Sequence, residues 1–181
     1  MFSLKPQHKK TAVLLLFTVI VFSCTHPKSK VAEYGPVIEN VMRSDVGVFR
    51  GFGLGENLDS IMKKESEKPI EIDSDYLYYE YKLATAGSFN ITYNFDERGL
   101  SEIQSDIFIT NADEADQVFG TFKTYFDQHY GASRMEMGFT VWSVKSEKYG
   151  DVKINLSNET TDFTADKAPG KISLWVYPDK D

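Results

Sequence analysis

Between Tyr76 and Ile109 apolar side chains fall on alternate positions in three successive stretches, and this period of two constrains the fold more than any other feature. In Ser88 to Phe95 the alternation is complete: Phe89, Ile91, Tyr93 and Phe95 share one side, and Ser88, Asn90, Thr92 and Asn94 the other. Successive side chains of an extended chain point to opposite faces, so such a stretch fits a sheet with one dry face and one wet face. Tyr76 to Leu83 repeats the pattern through Leu77, Tyr79, Tyr81 and Leu83, and Ser101 to Ile109 through Ile103, Ile107 and Ile109. Asp96-Glu97-Arg98-Gly99 supplies the turn before the last stretch, with Gly99 able to take positive φ. The expectation is a three-stranded meander.

After Ile109 the period changes. Asn111 can cap a helix, Asp113, Glu114 and Asp116 favour its positive end, and Gly131 can close it. Val118, Phe119, Phe122, Phe126 and His129 or Tyr130 form a stripe at three-and-four spacing that suits packing on the sheet. Three more strands are read at Phe139 to Val144, Val152 to Leu156 and Ile172 to Val176, with a polar loop from Ser157 to Gly170. Upstream, Asn57 caps a short helix through Leu58, Ile61 and Met62, and Val37, Ile38, Val41 and Met42 suggest another. Val46 to Leu54 is too rich in glycine to assign. The fold class expected is α+β: a helix and three antiparallel strands, repeated about twice, with the helices on one face of the sheet. The halves align when Gly87 is laid on Gly150, which also puts Phe89 on Val152 and Ile91 on Ile154, so a duplication of residues 46–110 and 111–178 is one expectation and chance agreement the other.

The amino-terminal segment reads differently. Lys5, His8, Lys9 and Lys10 precede an apolar run from Thr11 to Phe22 that is well short of the ~20 residues a membrane-spanning helix needs. It ends in Val21-Phe22-Ser23-Cys24, which resembles the lipobox of bacterial lipoproteins. That resemblance implies cleavage after residue 23, lipidation of Cys24, and anchoring on a membrane surface by acyl chains. Residues 24–32 then read as the acylated cysteine and a polar tether, and 33–181 as one α+β domain. Thr25, in place of an acidic residue after the cysteine, resembles the pattern that directs such proteins to the outer membrane in enterobacteria. The localisation expected is the cell envelope, at the periplasmic face of the outer membrane if the source is Gram-negative.

A second resemblance lies in the mature part. Gly53-Leu54-Gly55-Glu56-Asn57-Leu58 and the hairpin Tyr93-Asn94-Phe95-Asp96-Glu97-Arg98-Gly99 are similar to segments of the small lipoproteins of the β-barrel assembly machinery. The duplicated layout resembles the β-lactamase-inhibitor-protein fold. Both imply a non-catalytic protein that binds other proteins through a sheet face or its loops.

Composition narrows the chemistry. Aromatics make up 14% of the 181 residues, enough to build a packed core. The single cysteine excludes both a disulfide framework and a cysteine-ligated zinc site. Three of the 20 basic residues leave with the export segment, so the mature chain carries about −10 against its 27 acids, and nucleic acid is not an expected partner. His26 and His129 stand apart, the acids Asp73, Asp75, Asp113, Glu114 and Asp116 do not match calcium-loop spacing, and no nucleophile or phosphate-loop motif occurs. No cofactor or metal is expected. If Leu77, Tyr79, Ile91, Ile107, Ile172 and Leu174 face the core, then Tyr76, Tyr78, Phe108, Trp175 and Tyr177 face away from it, as candidates for a protein-binding surface unless Val31 to Phe52 or the polar loop covers them. The function expected is binding to another envelope protein. Two alternatives stay open: an envelope hydrolase with a carboxylate pair, which needs two close acids of raised pKa, and a small-ligand or lipid carrier, which needs a cavity between helix and sheet.

Overall fold

The computed structural model describes residues 30–160 and 170–179. The export segment, Cys24, the tether up to residue 29 and most of the expected polar loop lie outside the described residues. Among the described residues, eight strands form one antiparallel sheet. β1 (Glu71–Ile72), β2 (Tyr76–Lys82), β3 (Gly87–Asp96) and β4 (Gly99–Ile109) run inward from one edge. β5 (Arg134–Glu136), β6 (Phe139–Ser146), β7 (Gly150–Asn158) and β8 (Gly170–Pro178) run inward from the other. The two sets join where β4 pairs with β8, with Ile103 opposite Val176 and Ile107 opposite Ile172. With three helices the architecture is mixed α/β, dominated by its strands.

Local chemistry explains the helices. In α1 (Pro36–Met42) all four expected apolar residues are buried. In α2 (Leu58–Lys64) the Asn57 side chain accepts from the Ser60 amide at 2.8 Å. In α3 (Ala112–Tyr130) the Asn111 side chain accepts from the Glu114 amide at 2.9 Å, and Gly131 ends the helix with φ 87°. The buried stripe of α3 is Ala115, Val118, Phe122, Tyr125 and Phe126, so the expected stripe is turned: Phe119, His129 and Tyr130 are only half-buried. The cause is a second neighbour, since Tyr34, in the 3₁₀ turn Lys30–Tyr34, packs edge-on against Tyr125 at 5.2 Å and draws that side of the helix inward.

One core lies between the helices and a single face of the sheet. It joins Leu77, Tyr79, Ile91, Tyr93, Ile107, Trp142, Ile154 and Leu174 to Phe122 and Phe126. From the unassigned stretch Val46 to Leu54, Phe49, Phe52 and Leu54 belong to it. Phe49 and Phe52 pair with each other and are buried, and Arg50 between them is 4% exposed. The Arg50 guanidinium donates to both carboxylate oxygens of Glu65 at 2.9 Å and to the carbonyls of Asn40 and Val41 at the end of α1. Glu65 also accepts from Arg43 at 2.6 Å and from the Tyr81 and Tyr93 hydroxyls. A carboxylate and a guanidinium out of water are tolerable only when most of their hydrogen-bonding capacity is used, and here it is. Gly99 fixes the next connection: at φ +111°, a Cβ there would sit 2.6 Å from the carbonyl oxygens of Gly55 and Glu56.

Several expectations need correction. Lys30–Tyr34 is an ordered 3₁₀ turn with Val31 fully buried, so folded structure begins inside the stretch read as tether. Ser157 and Asn158 belong to β7, and the loop is correspondingly shorter. The edge strands β1 and β5, of two and three residues, had no alternation long enough to read. Val31 to Phe52 packs on the core face, as the edge-on contact of Phe52 with Tyr93 at 5.6 Å requires, and so does not cover the opposite face.

Candidate binding face on the open side of the sheet

Each strand that sends Leu, Ile or Val toward the helices sends its intervening residues to the other side. The register lines these up across strands. One row runs Tyr78, Thr92, Gln104, Trp175, Asn155, Val141, Arg134, each opposite the next, from β2 to β5. The three described helices pack on the reverse face, so this row looks outward.

The five aromatic candidates do point to this side, but they do not form one cluster. Trp175 and Tyr177 are neighbours on β8, edge-on at 6.2 Å, and Trp175 is 43% exposed. Tyr76 and Tyr78 stand three strand spacings away, roughly 14 Å. Their hydroxyls are turned to Glu71 and Glu80 at 2.9 and 2.8 Å. Phe108 lies between Ser88 and Lys171 near the end of β4. The centre of the face is therefore the β4–β8–β7 region beside Trp175.

There the surface dips into a recess of about 250 Å³, with Gln104, Asp106, Phe139, Asn155, Ser173 and Trp175 among its lining residues. The β3–β4 ladder prepares it. The Asn90 side chain accepts from the Asp106 amide at 3.0 Å while the Ser105 hydroxyl donates to the Asn90 carbonyl at 2.7 Å, which fixes the backbone beneath Asp106. The Asp106 carboxylate accepts from the Ser173 hydroxyl at 2.6 Å and lies 3.3 Å from the Lys171 ammonium, which also meets Glu159 at 2.8 Å. Burial would raise the Glu159 carboxyl, but the hydrogen bond and charge of Lys171 outweigh it and hold the pKa below the usual range. Asn155 is only 7% exposed; its amide nitrogen donates to the Tyr177 hydroxyl at 2.8 Å, and its amide oxygen has no partner among the described residues.

Asn155, Asp106, Lys171, Ser173 and Gln104 were not singled out by sequence reasoning. Their outward placement follows from strand alternation, but their convergence depends on the β4–β8 register, which no local pattern encodes. Among the described residues, no group of three His, Cys, Asp or Glu is placed to hold a metal ion. No family model, curated protein or solved structure matches the chain.

Proposed function

We propose that this chain is a lipid-anchored protein of the bacterial cell envelope that acts as a non-catalytic binding module, taking another envelope protein on the open face of its sheet. The observation that carries the reading is the pairing of an exposed Trp175 and its neighbour Tyr177 with a polar recess, on a face that none of the described helices covers. Aromatic anchors beside a desolvated pocket are the usual centre of a protein interface. The lipobox-like Val21-Phe22-Ser23-Cys24 supplies the anchor: acylation of Cys24 holds the domain at a membrane surface, at the periplasmic face of the outer membrane in a Gram-negative source.

Two further observations support the reading. Among the described residues, Glu56, Glu65, Asp96, Asp127, Glu136 and Glu159 have displaced carboxyl pKa values and all six are displaced downward, the reverse of what a carboxylate-pair hydrolase asks of its proton donor. Between α3 and the sheet, Phe126 meets Trp142 at 5.1 Å, so rings occupy the space a carrier would keep for its cargo. We further infer that the halves are a duplication, as in the β-lactamase-inhibitor-like layout: shifting residue numbers by the step from Gly87 to Gly150 lays β1, β2 and β3 on β5, β6 and β7.

Crosslinking in intact envelopes followed by capture of the tagged chain tests the proposal. The expected result is one protein partner, lost in the Trp175→Ala, Tyr177→Ala double variant, and release of Cys24→Ser from the membrane fraction as an unacylated chain. A Cys24→Ser chain that still carries lipid would refute the anchor, and a partner retained by the double variant would refute the face.

A further inference from the structure

The recess under Trp175 has a chemistry of its own. Asn155 lines it, and its amide oxygen is an acceptor buried without a donor among the described residues. Such a group carries a desolvation cost until something donates to it. Among the described residues the charges at the mouth do not cancel, since Asp106 and Glu159 both pair with Lys171, two carboxylates on one described cation. That excess has the same sign as the whole chain, at −7. The third wall is the exposed indole of Trp175, whose face attracts cations more strongly than any other aromatic side chain.

Each feature asks for something: a hydrogen-bond donor, a positive charge, and a flat cation over an indole. A guanidinium meets all three, because it is planar, permanently charged, and carries five donors and no acceptor. An ammonium supplies the charge but fits stacking less well, and a neutral sugar or amide supplies donors but no charge. The volume of about 250 Å³ is just under the ~300 Å³ at which sites for drug-sized molecules begin, so it suits one side chain and not a larger ligand. We propose that the recess is an arginine pocket: an arginine side chain of the partner protein enters beside Trp175, donates to the Asn155 Oδ1 atom and to Asp106, and stacks on the indole. This deepens the protein-binding reading of the same face and rests on it for the source of the arginine.

The test uses the full-length chain in neutral detergent, titrated with N-acetyl-arginine amide and with N-acetyl-citrulline amide, the neutral analogue of nearly the same shape. The readout is tryptophan emission. Trp175 is the exposed reporter, Trp142 is buried, and a Trp175→Phe variant assigns the change. The expected result is a saturable change with arginine that is at least about tenfold weaker with citrulline and weakens further as salt is added. Asn155→Leu should weaken arginine binding about tenfold while leaving the unfolding midpoint unchanged or higher, because it removes an acceptor that the free protein leaves unsatisfied, and the half-exposed Tyr177 hydroxyl that loses the Asn155 donor can turn to water. That stability control separates loss of the pocket from loss of the fold. Equal binding of arginine and citrulline, unaltered binding by Asn155→Leu, or saturation by a neutral sugar such as N-acetylglucosamine would each overturn the proposal. A partner captured on this face without arginine binding would remove the arginine pocket and leave the binding face standing. Arginine binding without a captured partner would do the reverse.

Discussion

Glu65→Ala is expected to destabilise the protein by about 3–5 kcal/mol, the range found when one member of a buried ion pair is removed. The carboxylate is fully enclosed, with side-chain exposure of 0%, and the Arg50 guanidinium beside it has 1%. Without Glu65 that cation stays in the core with the Asn40 and Val41 carbonyls and the faces of Tyr81 and Phe89 but no counter-charge there, and the Tyr81 and Tyr93 hydroxyls lose their acceptor. The same carboxyl gives a pH dependence. Burial acts to raise its pKa, but the hydrogen bonds and charge of Arg50, with the two tyrosine hydroxyls, outweigh burial and hold it below the ordinary value. The unfolded chain therefore takes up the proton first as pH falls. The stabilisation is complete above the unfolded value of about 4.3 and is lost as pH drops through the lower folded value. Urea unfolding at pH 7 and at steps below pH 4.5 checks both statements. A midpoint for Glu65→Ala equal to that of the parent would show that the cluster contributes nothing to stability.

Trp142→Ala should cost a similar amount, about 3–5 kcal/mol, as large aromatic truncations in packed cores do. Trp142 is 1% exposed, meets the Phe126 ring at 5.1 Å, and donates its indole N–H to Asp127 at 2.9 Å. It therefore ties β6 to the last turns of α3. Trp142→Phe keeps most of the packing and loses the donor, so its cost should fall to about 1–2 kcal/mol. Asp127 adds a second acid-sensitive element. The Lys123 ammonium foremost, with the Trp142 indole and Ser133, lowers its pKa to about 2. Its contribution is whole above the unfolded value of about 3.9 and disappears as pH falls toward 2. In Trp142→Phe part of this acid sensitivity should be lost, which the slope of stability against pH between 4 and about 2 would reveal. An unchanged slope would mean the indole does not act on Asp127.

How far the sequence could be read is clear from particular residues. The alternation of Phe89, Ile91 and Tyr93, the three-and-four spacing of Val118, Phe122 and Phe126, and the caps Asn57 and Asn111 are local, and each matches the element found. What was not legible is carried by contacts distant in sequence. Arg50 lies in a glycine-rich stretch that resembles a loop, yet it is bound to Glu65 and to the end of α1. The two sets of strands join in one sheet because β4 and β8 pair, and they are separated by α3 and three other strands. The candidate site shares this limit. Trp175 and Tyr177 were identifiable as outward aromatics, but Asn155 could not be marked as buried and unsatisfied until the register brought Tyr177 to its nitrogen and nothing described to its oxygen.

The central claim is that the open face of the sheet is occupied by a partner in the envelope. Hydroxyl-radical footprinting of the native chain in isolated envelopes, compared with the purified protein in detergent, tests it directly, because Trp, Tyr and Met side chains all report. The account predicts that Trp175 and Tyr177 lose most of their labelling in envelopes, while Met135 and Met137, exposed at the β5–β6 edge, are labelled equally in both. Equal labelling of Trp175 and Tyr177 in the two preparations, or protection confined to Met135 and Met137, would contradict it.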